Sequence, residues 1–129
     1  MLAILTQKNS FVGREYASNL LKNKINCYLI QIGRETKNKI EIERSGRNWR
    51  PITILNLKKK GLKIYNFKKF NKAFKNFIKK KKIVLGIQGG VGIINKKTIE
   101  CFKKGIINCH PGDIPLYRGA SSPEYQLIN

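Results

Sequence analysis

Short apolar runs alternate along this chain with segments in which apolar residues recur every three or four positions. The apolar runs predict buried parallel strands at Leu2–Leu5, Asn26–Ile32, Leu62–Tyr65, Ile83–Ile87 and Ile106–Asn108. The helical spacing predicts helices from the N-cap Ser10 to about Lys22, from Phe67 to Ile78, and from Asn95 to Lys104. This order predicts an α/β fold, a Rossmann-like doubly wound and mostly parallel sheet with helices on both faces.

The connecting segments have weaker patterns. We expect Thr6–Ser10 to be a loop and Gly33 to end the second strand. Within residues 35–61, the first part favours a charged helix, and Pro51–Leu57 a short strand or an extended connection. The phenylalanines between Phe67 and Phe77 are expected to form a core face, with the lysines between them in solvent.

Composition indicates one folded domain. The chain has 129 residues and 41% hydrophobic content, enough for a single core and too apolar for a disordered protein. Its apolar runs are too short to span a membrane, so we expect a soluble cytoplasmic protein without a membrane partner. Cys27, Cys101 and Cys109 form no C-x-x-C pair and are expected to be reduced, mostly core thiols.

The formal net charge of +20 has two explanations. A positive surface attracts nucleic acid or other polyanions. Lysine, isoleucine and asparagine also rise together in genomes rich in A and T, and all three are abundant here. Arginine and aromatic residues are not clustered with the lysines, so nucleic acid is possible as a partner but is not favoured.

The predicted fifth strand runs directly into a polar loop, N-C-H-P-G, at residues 108–112. Asn108 and His110 are two apart, so on an extended backbone their side chains project to the same side, opposite Cys109. Pro111 restricts His110 to extended angles. An amide and an imidazole placed in this way can hold a carbonyl oxygen and manage a proton. Cys109 and His110 are poor zinc ligands, because adjacent residues of an extended chain face apart and no further ligand pair has the spacing for zinc, so no metal site is predicted.

A glycine-rich turn, Gln88–Gly92, follows the predicted fourth strand. Its glycines allow a ligand to approach the backbone closely, but they are explained equally well by a turn that needs positive φ angles. The turn is not a P-loop, because no G-K-[ST] follows it. The first strand is not followed by G-x-G-x-x-G, so no nicotinamide cofactor is indicated.

The longer motif N-x-H-P-G-x-x-P-x-Y-R-G, at residues 108–119, resembles the signature loop of the folate-dependent formyltransferases, which act on glycinamide ribonucleotide, methionyl-tRNA or sugar nucleotides. The resemblance implies transfer of a formyl group from 10-formyltetrahydrofolate to a primary amine. It implies catalytic roles for Asn108 and His110. It places Gln88, Gly89, Gly90 and Val91 in the folate pocket, and Tyr117 and Arg118 on the far, acceptor side of the cleft. Arg118 can there face an anionic acceptor or, as a structural role, tie the loop to backbone carbonyls.

The resemblance also implies that part of the family's machinery is missing. The family's third catalytic residue is an aspartate downstream of the motif, and no residue here matches it. We therefore expect residues 1–129 to be a single formyltransferase-type N-terminal domain, truncated before the last strands and impaired as an isolated chain. The expected acceptor is a small amine, and a nucleotide-linked amino sugar is the favoured class. The alternatives are a non-catalytic folate-binding remnant and a basic nucleic-acid-binding α/β protein.

Overall fold

A computed structural model of the chain describes residues 1–35 and 50–109. The strands are β1 (Leu2–Lys8), β2 (Cys27–Glu35), β3 (Lys63–Phe67), β4 (Leu85–Gln88) and β5 (Ile106–Ile107). The helices are α1 (Phe11–Lys22), α2 (Ile54–Lys59), α3 (Lys72–Lys80) and α4 (Lys96–Ile99). None of the described helices is long and apolar enough to cross a membrane.

The five strands form one parallel sheet in the order β3-β2-β1-β4-β5. The chain winds outward from β1 to β3, then crosses back to β4 on the other side of β1. Strand order therefore reverses between β1 and β4, which is the place where open α/β sheets bind ligands. The predicted Rossmann-like, doubly wound α/β fold is confirmed.

Each face of the sheet has its own hydrophobic core. On one face α1 and α2 pack against the sheet, with Ile4, Ala17, Leu29 and Leu57 fully buried. On the other, α3 and the turn after α4 bury the residues Ala3, Leu5, Ile30, Phe74, Ile78 and Phe102. The alternation of Ala3, Ile4 and Leu5 between the two clusters is expected of a central strand that is covered on both sides.

The apolar stripe of α3 is part of the core, as its spacing predicts. Phe74 and Ile78 are fully buried, whereas Lys72, Lys79 and Lys80 are exposed. Phe74 packs edge-to-face on Phe67, with ring centroids 5.5 Å apart. Phe67 and Phe74 therefore pack against each other within the core of this face.

Two predicted strand ends are wrong. Thr6–Lys8 belongs to β1 and is not a loop, because these polar residues pair with β2. Gly33 does not end β2, which continues to Glu35. Gly33 takes a φ of +77° where the β1–β2 register shifts, so it absorbs an irregularity inside the strand.

The remaining corrections concern helix and strand limits. Residues 54–57 are the start of α2, not a strand, because Thr53 caps the helix through its side chain. Phe67 lies in β3, and α3 begins only at Lys72. Helix α4 ends at Ile99, well before Lys104, and β5 ends at Ile107, one residue before Asn108. The charged helix predicted early in residues 35–61 lies outside the described residues.

Candidate functional site

The carboxyl ends of β1, β4 and β5 meet at one edge of the sheet. Leu5 pairs with Gln88, and Ile87 pairs with Ile107. Gln88 and Asn108 therefore lie at the same level on neighbouring strands, beside the reversal of strand order. The structure thus brings together two of the segments that sequence analysis singled out, the glycine-rich turn and the start of the N-x-H motif.

Gly89 fixes the turn against β1 and α1. A Cβ on Gly89 would lie 2.9 Å from Ile4 Cγ2 and 3.1 Å from the Cα of Gly13, so only glycine fits without displacement. Its N–H donates to the Leu5 carbonyl at 2.7 Å, and its own carbonyl accepts from Thr6 Oγ1 at 2.6 Å. Both backbone groups of Gly89 are therefore used within the fold, which assigns this residue a structural role.

The next two residues leave their donors available to a ligand. Gly90 has a φ of +81°, so the turn does require glycine there. Within residues 1–35 and 50–109, no hydrogen bond engages the N–H of Gly90 or of Val91. Gln88 closes the turn, because its Nε2 donates to the Gly92 carbonyl at 2.6 Å. If this turn binds a ligand through its backbone, Gly90 and Val91 are the residues that offer N–H groups.

Asn108 is the one catalytic candidate that the structure describes. It follows β5 directly and its side chain is exposed, so its amide can reach a ligand at this edge. His110, Tyr117 and Arg118 lie outside the described residues.

Thr6 supports the candidate site, a role that was not predicted from the sequence. Its side chain is fully buried and its hydroxyl donates to the Gly89 carbonyl, which holds the glycine-rich turn to the end of β1. Gly13 makes room for it, since a Cβ on Gly13 would lie 2.5 Å from Thr6 Cβ. A glycine inside a predicted helix was the available signal, because such a glycine usually marks close packing.

The first turn of α1 is also fixed by hydrogen bonds to the segment before α2. Arg14 is buried and donates from Nε to the Ser10 carbonyl at 3.3 Å and from Nη1 to the Ile52 carbonyl at 3.0 Å. Glu15 Oε1 accepts from the Ile52 N–H at 3.2 Å. Burial lowers the pKa of Arg14, and the nearby Glu15 carboxylate opposes this effect. These contacts join the residues before α2 to the helix that flanks the site.

An apolar groove of about 270 Å³ lies on the α1 face next to this edge. Its lining includes Tyr16, Leu20, Ile87, Ile107 and Cys109 but not Asn108, as expected for alternating residues of an extended chain. Burial, and secondarily the Cys109 thiol, raises the pKa of Tyr16.

The three cysteines are free and differ in environment. Cys109 is exposed, so the prediction of mostly core thiols is wrong for it, because β5 ends before this residue and no element covers it in the described structure. Cys101 is partly buried and its Sγ donates to the Lys97 carbonyl at 3.3 Å. Cys27 is buried under α1 and α2, and burial raises its thiol pKa to about 11.

Within residues 1–35 and 50–109, no three histidine, cysteine, aspartate or glutamate side chains lie close enough together to hold a metal ion. Comparison with protein-family models, with curated proteins and with solved structures finds no match to this chain. The candidate site therefore rests on its residues and their geometry.

Proposed function

We propose that this chain is a formyltransferase-like domain whose site accepts a reduced folate at the carboxyl edge of the sheet. One observation carries the proposal: the N-x-H-P-G motif begins where β5 ends, on the strand next to the glycine-rich turn of β4. The motif and the turn were singled out separately in the sequence, and the first residue of the motif, Asn108, follows the strand that neighbours β4, beside the reversal of strand order between β1 and β4.

The chemistry at such a site is acyl transfer to an amine. The amine nitrogen attacks the formyl carbon of 10-formyltetrahydrofolate, and negative charge develops on the formyl oxygen. The Asn108 amide and the His110 imidazole donate hydrogen bonds to that oxygen, and His110 also moves the proton lost by the attacking nitrogen. The bond from the formyl carbon to the folate nitrogen then breaks, and that nitrogen takes up a proton.

The turn after β4 supplies the donor pocket in this proposal. The N–H groups of Gly90 and Val91 can hydrogen-bond to the pterin ring, while Gly89 and Gln88 hold the turn in shape. Gly90 is exposed, so a flat ring can approach its backbone at this edge. Tyr117 and Arg118 are proposed to contact the acceptor, with a nucleotide-linked amino sugar as the favoured class.

Binding and turnover are separable in this proposal. Residues 1–129 hold no match to the family's catalytic aspartate, which orients the histidine and so affects turnover. The folate pocket does not depend on that aspartate. Donor binding is therefore the property to test first.

The test is a calorimetric titration with 5-formyltetrahydrofolate, a stable analogue of the donor, at low salt and in 0.5 M NaCl. We expect saturable binding with one ligand per chain that persists at high salt. Asn108→Ala and His110→Ala should each weaken it by up to about tenfold, the equivalent of one lost hydrogen bond. Asn66→Ala is the matched control, because Asn66 is an exposed asparagine near the end of β3 at the same edge.

Loss of all binding at high salt by a folded chain would overturn the proposal, because it would show that the folate is attracted only by positive charge. Equal effects of Asn66→Ala and Asn108→Ala would remove the motif from the site. Binding without any formyl transfer to amino-sugar nucleotides would leave the folate-binding remnant as the better description.

A further inference from the structure

We infer that the edge of the sheet opposite the candidate site binds the surface of an anionic phospholipid membrane. In a sheet of parallel strands, every helix runs back toward the amino ends of the strands, so all helices end at the same edge. Lysines stand at these ends. The group, named here the lysine edge, consists of Lys22, Lys24, Lys58, Lys59, Lys60, Lys63, Lys79, Lys80, Lys81, Lys82, Lys103 and Lys104, all exposed.

Four turns build the lysine edge in the same way. The turn residues that precede β2, β3, β4 and β5 all have positive φ, and they are Lys24, Gly61, Lys82 and Gly105. Each donates its N–H to the carbonyl three residues earlier, at 3.0, 2.9, 3.0 and 2.9 Å. In the first three turns the next N–H closes a second bond to the residue five earlier, which is the Schellman pattern of a helix end.

Two of these turns carry a lysine where glycine is favoured. Lys24 has a φ of 60° and Lys82 a φ of 51°, whereas the equivalent residues Gly61 and Gly105 adopt this backbone without strain. Codon bias explains many lysines, and the helix dipole favours lysine in a last helical turn. Neither explains a lysine beyond the helix, in a conformation that disfavours it. Strain of this kind clusters at functional positions, so the two lysines support a function for this edge.

In the part of the chain that the structure describes, carboxylates are few beside the lysines of this edge. Between Arg50 and Cys109 the sequence contains one carboxylate, Glu100. In residues 1–35 the carboxylates are Glu15 and Glu35, and Glu35 lies at the opposite edge, where it accepts from Asn9. A positive field without counter-charges attracts polyanionic surfaces.

A lipid surface fits this edge better than a nucleic acid does. The described part of the edge has no arginine. The aromatic residues near it are packed within the fold: Tyr28 contacts Tyr65 with ring centroids 5.4 Å apart, and Phe102 is buried. Exposed aliphatic side chains stand among the lysines instead, with Ile25 45% and Met1 47% exposed. Positive charge combined with exposed apolar groups is the pattern of peripheral binding to anionic membranes.

The edge also has room for a lipid head group. A cavity of about 460 Å³ between the ends of α1 and α2 is lined by Lys22, Lys24, Lys60, Leu21 and Asn26. The three lysines of this lining can supply ammonium groups to a phosphate. Two lining residues, Lys24 and Asn26, flank the exposed Ile25 in the sequence. Binding in this orientation leaves the candidate site facing away from the membrane, so this inference is independent of the proposed function.

The test is co-sedimentation with vesicles of phosphatidylcholine containing about 30% phosphatidylserine. The edge variant replaces Lys59, Lys60, Lys81 and Lys82 by glutamine. Its matched control replaces Lys68, Lys69, Lys96 and Lys97 by glutamine, which removes the same charge from segments near the opposite edge. We expect the edge variant to bind the vesicles at least about tenfold more weakly than the wild type does. The affinity of the control should change by less than about threefold. Vesicles of phosphatidylcholine alone should not bind the wild type.

A second variant separates binding from folding. Lys24→Gly with Lys82→Gly relieves the positive-φ strain, so its Tm should rise by roughly 4–8 °C. The same variant should bind the anionic vesicles several-fold more weakly, although it is the more stable protein. Ile25→Ser should reduce the part of the binding that survives 0.3 M NaCl.

Two results would overturn the inference. Equal losses in the edge variant and in the control would show that only net charge matters. Binding to a duplex or single-stranded oligonucleotide that depends on the lysine edge, with no binding to anionic vesicles, would identify nucleic acid as the partner.

Discussion

At the scale of single residues, Thr6 decides whether the glycine-rich turn stays attached to β1. Its hydroxyl is the side-chain donor to the carbonyl of the buried residue Gly89. Thr6→Val keeps the shape but leaves that carbonyl without its partner, and we expect a loss of about 1–3 kcal/mol in the free energy of unfolding. Thr6→Ser is the control, since it keeps the hydroxyl and should lose only about 1 kcal/mol for one methyl group.

The measurement is urea unfolding followed by circular dichroism. The test depends on which of the two variants has the larger free energy of unfolding, and we expect it to be Thr6→Ser. If the serine variant were less stable than the valine variant, the hydrogen bond to Gly89 would not be what holds the turn.

The contribution of Cys27 to stability should depend on pH. Its thiol pKa is raised by burial from 9.0 to about 11, so between these values the unfolded chain loses the proton and the folded chain keeps it. The contribution of Cys27 to stability is therefore complete below pH 9 and is lost as the pH rises toward 11. Other groups titrate in this range, so the quantity to measure is the difference in unfolding free energy between wild type and Cys27→Ala.

That difference should fall by up to about 2–3 kcal/mol between pH 8.5 and pH 11. A difference independent of pH would mean that the Cys27 thiol titrates normally in the folded protein.

At the scale of elements, helix capping differs between helices that look alike in sequence. Asn71 caps α3, with its side chain accepting from the Phe74 N–H at 3.1 Å, whereas the Ser10 side chain makes no capping bond at α1. Asn71→Ala should therefore lower the free energy of unfolding by about 1 kcal/mol, and Ser10→Ala by less than about 0.5 kcal/mol. Chemical unfolding of both variants tests this, and equal losses would contradict it.

The order and type of the elements could be predicted from sequence because each strand is an uninterrupted apolar run and each long helix has an apolar stripe. Their ends could not. Thr6–Lys8 is polar by sequence, and only pairing with the neighbouring strand β2 makes it part of β1. Phe67 fits the apolar spacing of α3 but lies in β3, because a strand next to a helix can supply a residue to the same core.

The start of α2 could not be predicted from the sequence for a different reason. Ile52 and Ile54 are compatible with a strand, and the helix depends on the Thr53 cap together with the contacts of Ile52 to Arg14 and Glu15. These contacts join residues far apart in sequence. A local pattern contains no information about them.

At the scale of the whole molecule, the net charge of +20 opposes the folded state. Like charges are closer together in the folded chain than in the unfolded chain, and added salt screens them. We expect Tm to rise by several degrees between 20 and 300 mM NaCl. Thermal unfolding at constant pH measures this directly, and a Tm that falls with salt would show that attractive ion pairs outweigh the repulsion.

The candidate site and the lysine edge lie at opposite edges of the sheet. The glycine-rich turn and Asn108 were predictable as neighbours, because parallel strands place their carboxyl ends at one edge. The separate roles of Gly89 and Gly90 were not predictable, since both are glycines of one turn and only the packing of Gly89 against Gly13 distinguishes them. The lysine edge likewise depends on topology, because its lysines are spread from residue 22 to residue 104 in the sequence.

The most direct test of the central claim is to map where a reduced folate contacts the chain. Two-dimensional NMR of the ¹⁵N-labelled protein is recorded with 5-formyltetrahydrofolate in 0.3 M NaCl. The proposed function predicts that the largest shifts occur at the amides of Gly90, Val91 and Asn108, and that Lys24, Gly61, Lys82 and Gly105 are unchanged. Shifts centred on the lysine edge, or spread over all exposed lysines, would contradict it.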